Sequence, residues 1–147
     1  MVRVNLRALL LCSVLLACSR ENAADLSKFH GVKLGMGLRD VREKFDAAAD
    51  GGTWTTSMSA GLTVLAWSPS ESSSSNTRFE FHNGMLVAVR APLASADPLA
   101  SGPRVSESKS TVALREEKAG VKELTLIARD CPAHRAEVDS ILSRRSK

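Results

Sequence analysis

The sequence is poor in large aromatic side chains: its 147 residues include no tyrosine, two tryptophans and four phenylalanines. Proteins that bind single-stranded nucleic acids stack successive bases on exposed aromatic rings. So few rings leave little for such a platform once a hydrophobic core has been built. We therefore expect no nucleic-acid partner.

The sequence also lacks the roughly 20 consecutive apolar residues that a membrane-spanning helix requires. Its densest apolar stretch covers only residues 8–16 and follows Arg3 and Arg7. A positively charged start followed by a short apolar run is the pattern of a secretory signal. The same two arginines supply half of the net charge of +4, so residues 18–147 carry only +2 and give little indication of an anionic partner.

The apolar run ends in Leu-Leu-Ala-Cys at residues 15–18, which resembles the lipobox of bacterial lipoproteins. In that motif the small residue before the cysteine allows cleavage, and the cysteine receives a diacylglyceryl thioether. Cys12 is a poor alternative because Leu11 precedes it. We predict a covalent lipid on Cys18; the alternative is a plain secretory signal in which Cys18 is incidental.

This interpretation divides the chain into a lipoprotein signal peptide (1–17), a lipidated tether (18–30) and a single domain (31–147). Ser19, directly after the cysteine, is compatible with sorting to the outer membrane. We expect a cell-envelope location, at the outer membrane and facing the periplasm. Membrane contact is then made through the lipid.

The apolar pattern after the tether predicts an α+β domain. A stripe at spacings of three and four indicates a helix over residues 38–49, and Pro132 starts a second helix that ends near Arg145. About five or six strand-like segments lie between them. We expect an N-terminal helix, a meandering antiparallel sheet of about five or six strands and a C-terminal helix.

The clearest local signal is Asn83-Gly84, the preferred residue pair for a type I′ turn, within a hairpin over residues 77–91. Counting outward from this turn places Phe79, Phe81, Leu86 and Ala88 on one face. The other face is half apolar and half charged, which suits a protein partner or the rest of a curved sheet. The candidate binding residues on that face are Arg78, Glu80, His82, Val87 and Val89.

Residues 31–45 read G-V-K-L-G-M-G-L-R-D-V-R-E-K-F. They resemble G-x-x-L-G-M-[ST]-x-x-x-V-x-x-x-F, the segment leading into the first helix of the SmpA/OmlA family and its β-lactamase-inhibitor-protein-like relatives. The resemblance covers about a tenth of the chain. It implies an α+β domain with helices on an antiparallel sheet, and its outer-membrane members assist assembly of β-barrel proteins. Gly37 departs from the pattern, since the family commonly has Ser or Thr there; glycine at a helix start costs only a few tenths of a kcal/mol.

Cys131 and His134 form a Cys-Pro-x-His motif at the start of the second predicted helix. Helix amides and a nearby histidine base suit a reactive thiol, for thiol exchange or acyl transfer. The ordinary interpretation is a buried thiol beside a half-buried, hydrogen-bonded histidine. His82 could complete a metal site, but the chain lacks a second Cys/His pair at zinc spacing, so we expect no metal.

The sequence contains no Gly-x-Ser-x-Gly motif and no phosphate-binding loop with its lysine. We therefore expect a non-enzymatic lipoprotein, without a cofactor, whose domain binds another envelope protein. Two alternatives stay open: a thiol-dependent enzyme or redox protein using Cys131 and His134, and a carrier of a small ligand or lipid.

Replacing Cys18 by serine tests the anchor. The Cys18→Ser chain is expected to incorporate no lipid, because serine has no thiol to form the thioether. Metabolic labelling with palmitate measures this, and Cys12→Ser is the matched control that should still be labelled. Continued labelling of Cys18→Ser would contradict lipidation at this cysteine.

Overall fold

A computed structural model of the chain describes Leu26 and residues 28–49, 51–69 and 76–146. The predicted signal peptide, Cys18 and most of the tether lie outside the described residues, as does the serine-rich segment 70–75. Within the described ranges, no helix combines the length and the hydropathy needed to span a membrane.

The described part is mostly β-structure. It begins with a hairpin of two short strands, β1 (Lys28–Phe29) and β2 (Val32–Lys33), and continues into helix α1 (Leu38–Asp46). Seven strands follow: β3 (Thr53–Ser59), β4 (Leu62–Ser68), β5 (Thr77–His82), β6 (Met85–Leu93), β7 (Val105–Glu107), β8 (Thr111–Lys118) and β9 (Val121–Ala128). Helix α2 (Arg135–Ser143) comes last, after a 3-10 turn over Pro132–His134. Two further 3-10 turns cover Pro98–Ala100 and Arg144–Ser146.

The seven strands β3 to β9 form one antiparallel sheet in the order β3-β4-β5-β6-β9-β8-β7. The chain runs as a meander from β3 to β6. It then passes through residues 94–104 to the far edge and returns through β7, β8 and β9, so that β9 pairs with β6. The centre of the sheet is therefore formed by β5, β6 and β9, which come from both halves of the sequence.

The predicted α+β fold is wrong. The described chain is dominated by a seven-stranded sheet and an additional two-stranded one, and each of its two α-helices has nine residues. Residues 105–107 pair with β8 as an edge strand of only three residues. Two strands precede α1, so the described fold does not begin with a helix, and the sheet departs from a meander after β6.

Helix α1 forms where the apolar spacing is helical and ends earlier than expected. Val41 and Phe45, four residues apart, are its buried side chains, and Asp40 near its start and Lys44 near its end suit the helix dipole. The helix ends at Asp46 rather than near residue 49.

The helices cover opposite faces of the sheet. On the first face, here called the α1 face, Phe45 packs edge-on against Phe79 and Trp67, with ring centroids 5.1 and 5.2 Å apart. On the second, the α2 face, Val138 and Ile141 pack on an apolar cluster from the sheet: Ala88, Val105, Val112, Leu114 and Ile127. The sheet is thus the middle layer of three.

The β5–β6 hairpin contains an irregularity that sequence patterning did not predict. Asn83 and Gly84 both have positive φ, as a type I′ turn requires, and the two residue pairs next to the turn are the predicted ones. Beyond them, Glu80 lies opposite Ala88 instead of Val87. The extra residue reverses the alternation, so Ala88 turns to the α2 face and Val89 to the α1 face.

Removing the ring of Phe45 should strongly destabilise the protein. Phe45→Ala leaves a cavity among the rings of Phe29, Trp54, Trp67 and Phe79. Its expected cost is about 3–5 kcal/mol in the free energy of unfolding. Met58→Ala is the control, because Met58 is 71% exposed and the expected change is within about 0.5 kcal/mol. Urea unfolding measures both, and similar values for the two variants would contradict the packing described for α1.

Candidate functional site

The five residues predicted to form a binding face do not share one open surface. Glu80, Val87 and Val89 are 5%, 9% and 1% exposed, while Arg78 is exposed and His82 partly exposed. Val89 belongs to the α1-face core because of the bulge, and α2 packs on the opposite face. The geometric premise of the predicted binding face is therefore wrong.

Glu80 instead links the sheet to the segment that opens α2. His134 Nε2 lies 2.7 Å from Glu80 Oε2, and the two side chains are 4% and 7% exposed. Arg90 on β6 donates from Nε to Glu80 Oε1 at 2.9 Å. The same guanidinium donates two parallel hydrogen bonds to Glu137 on α2, at 2.7 and 2.8 Å. We call these four residues the Glu80 network.

The charges in this network stabilise one another. Burial alone would raise the pKa of Glu80, but hydrogen bonds from Arg90 and His134 outweigh it and hold that pKa below its ordinary value. The hydrogen bonds from Arg90 likewise lower the pKa of Glu137. The two hydrogen bonds to Glu137 raise the pKa of Arg90 against the opposing effect of burial, and the hydrogen bond to Glu80 raises it further. Glu80 is thus an ionised acceptor.

An ionised Glu80 determines which nitrogen of a neutral His134 carries the proton. A carboxylate only accepts hydrogen bonds, so Nε2 must be the protonated nitrogen and must donate to Glu80. The other nitrogen, Nδ1, is then left with a free lone pair. It points at Cys131 Sγ, 3.5 Å away.

Cys131, His134 and Glu80 therefore stand in series as thiol, imidazole and carboxylate. This is the order of a nucleophile, its base and the group that orients the base. Cys131 precedes the 3-10 turn before α2 and is 6% exposed, and His82 Nδ1 lies 4.0 Å from its sulfur. Sequence reasoning paired Cys131 with His134 but missed the role of Glu80. An alternation of Phe79, Glu80 and Phe81 in a strand equally fits a solvent-facing glutamate, so the local sequence does not indicate that Glu80 is buried.

A cleft of about 460 Å³ opens beside Cys131. Its walls come from four parts of the fold, all at one end of the sheet: the loop after β2, the β5–β6 turn, the start of β8 and the loop after β9. The lining residues are Lys33, Leu34, Gly35, His82, Met85, Leu86, Val87, Ser110, Thr111, Ala128, Asp130, Cys131 and Pro132. Met85 is 50% exposed, so an apolar side chain is available to whatever approaches the cleft.

Hydrogen bonds to the sheet hold the loop that forms one wall of the cleft. Gly35 N donates to Leu86 O and Leu86 N donates to Met36 O, both at 2.8 Å. Gly35 has a φ of +89°, a backbone conformation that favours glycine. The glycine-containing segment before α1 therefore helps to build the cleft as well as leading into the helix.

Among the described residues, no group of three or more histidine, cysteine, aspartate or glutamate side chains is arranged to hold a metal ion.

Comparison with known proteins finds no matching family model, no matching curated protein and no matching solved structure. Function is therefore inferred from the sequence signals and from the geometry around the cleft.

The lowered pKa of Glu80 predicts acid sensitivity. Its ionised form stabilises the folded protein above pH 4.5, its ordinary pKa, and this stabilisation is lost as the pH falls through the lowered folded-state pKa. In urea unfolding from pH 7 to pH 3, Glu80→Gln should therefore lose less stability than the parent protein.

Glu43→Gln is the matched control, since it removes one carboxylate from an exposed position of α1. Its acid dependence should follow that of the parent. If Glu80→Gln also followed the parent across this pH range, the ionised, hydrogen-bonded state of Glu80 would be contradicted.

Proposed function

We propose that this chain is a lipid-anchored protein of the cell envelope whose domain binds another envelope protein without catalysing a reaction. The arginines and the apolar run of the first 17 residues, followed by the lipobox-like cysteine, support export and an anchor at Cys18. Ser19 after that cysteine supports an outer-membrane position facing the periplasm.

The observation that carries the binding proposal is the cleft beside the β5–β6 turn. Leu34, Met85 and Val87 give it an apolar lining, and His82 adds a polar group. Binding sites commonly combine a concave apolar surface with a few such groups. Methionine also adapts its shape to different partners. An apolar side chain presented by a partner is the occupant that this lining fits.

The sequence resemblance supports an assembly-type role at the same place. The segment that resembles the SmpA/OmlA motif contributes Lys33, Leu34 and Gly35 to the cleft wall. A partner that docks there would contact this segment directly. Of the five residues predicted on the hairpin face, His82 and Val87 line this cleft, so the proposed site lies at the end of the sheet.

A small-ligand or lipid carrier is the second candidate, and the volume of the cleft favours it. At about 460 Å³ it falls within the range of about 300–1,000 Å³ that is usual for small-molecule pockets. Recovery of a bound small molecule from the purified protein, with no protein captured at the cleft, would support the carrier instead of the protein-binding role.

Site-specific photocrosslinking tests the protein-binding role. A photoreactive residue in place of Met85 should capture one envelope protein, because Met85 borders the cleft. Val121 is the matched control: it is 43% exposed and lies at the opposite end of the sheet, next to the β8–β9 turn. Capture of the same protein with equal yield from both positions, or only from position 121, would contradict binding at the cleft.

A further inference from the structure

We propose that Cys131 is a reactive thiol that forms a mixed disulfide with a small disulfide compound entering the cleft, with His134 as its base and Glu80 as the residue that positions His134. The inference rests on the arrangement of these three side chains beside the cleft. It does not depend on the lipid anchor or on a protein partner.

Cys131, His134 and Glu80 are positioned relative to one another more specifically than the burial of a cysteine requires. A buried cysteine alone behaves as a small apolar residue. Here a histidine nitrogen lies 3.5 Å from the sulfur, and its other nitrogen lies 2.7 Å from a buried carboxylate. That carboxylate is in turn fixed by Arg90, which Glu137 holds from α2. The base is therefore oriented before any substrate arrives.

The chemical step is thiol–disulfide exchange. His134 Nδ1 takes the proton of Cys131, and the thiolate attacks one sulfur of the incoming disulfide. The new bond joins Cys131 Sγ to that sulfur, while the old sulfur–sulfur bond breaks and its electron pair leaves on the second sulfur. The proton on His134 passes to this leaving thiolate. Cys131 is oxidised and half of the compound is reduced, so no further oxidant is needed.

The position of Cys131 limits the size of the reactant. Its side chain is almost fully buried, yet it borders a cleft of about 460 Å³. A compound that enters this cleft can reach the sulfur; a second cavity, of about 340 Å³ and lined in part by residues of α2, also borders Cys131. Because the sulfur is almost fully buried, a small disulfide can reach it more readily than the disulfide of a folded protein.

The product should be stable within the domain. Cys131 is the free cysteine that the structure describes, and the other two cysteines of the sequence lie at positions 12 and 18, outside the described residues. A mixed disulfide at Cys131 therefore has no neighbouring thiol in the described domain to release it. Release would require a second thiol from solution.

The test uses the full chain with Cys12→Ser and Cys18→Ser, in mild detergent, so that Cys131 is its sole thiol. The probes are cystamine and the larger glutathione disulfide, at pH 7, with adduct formation followed by intact mass spectrometry. An ordinary thiol is only a few per cent ionised at this pH. With a base in place, the folded chain should react about tenfold faster than the same chain in urea, with one adduct per chain.

Two variants test whether the reaction rate of Cys131 depends on the base and on the cleft. His134→Gln removes the base and should lower the rate with cystamine about a hundredfold, the low end of what a positioned base contributes. Met85→Trp changes an exposed residue at the cleft and needs no change in the core. This substitution should lower the rate of adduct formation with glutathione disulfide more than the rate with cystamine.

Two results would overturn the proposal. One is a folded chain that reacts no faster than the chain in urea, a comparison that needs no variant of the site and is unaffected if His134→Gln fails to fold. The other is Met85→Trp reacting with both compounds at the parent rates, which would show that the sulfur is reached without passing through the cleft.

Discussion

The hydrogen bond between Glu80 and His134 is the contact on which the α2 face depends. It joins the central strand β5 to the segment that opens α2, across 54 residues of sequence. A buried carboxylate is unfavourable unless charges and donors surround it. Arg90 supplies both, and Glu137 fixes Arg90 from the helix. The polar contacts thus fix the position of α2 on the sheet. In that position Val138 and Ile141 pack against apolar residues of the sheet.

The same contact connects the architecture of the domain to its proposed chemistry. Because Glu80 accepts a hydrogen bond from Nε2–H, the Nδ1 of a neutral His134 is left unprotonated and faces Cys131. Cys131 in turn borders the cleft that we propose as the binding site. A mixed disulfide on Cys131 would place its thiol half in that cleft. Modification and partner binding would then compete for one space, so the redox state of a single thiol could control docking.

The features predicted correctly from sequence are those determined by near neighbours. Asn83-Gly84 specifies its turn and the two adjoining residue pairs, and the spacing of Cys131 and His134 brings them together at a helix start. The contact between Glu80 and His134 joins segments that lie 54 residues apart, and no local residue pattern indicates the bulge at Val87. Strand β7 has only three residues, too few to show an alternating pattern. Missing it and the hairpin before α1 led to the wrong fold class and sheet order.

A double-mutant cycle between Glu80 and His134 tests this account most directly. The free energies of unfolding of Glu80→Gln, His134→Gln and the double variant are measured by urea denaturation at pH 7. If the hydrogen bond joins sheet and helix as described, the two substitutions are coupled, with an interaction energy of about 1–3 kcal/mol. Additive effects, equal within about 0.5 kcal/mol to the sum of the single changes, would contradict the central role of this contact.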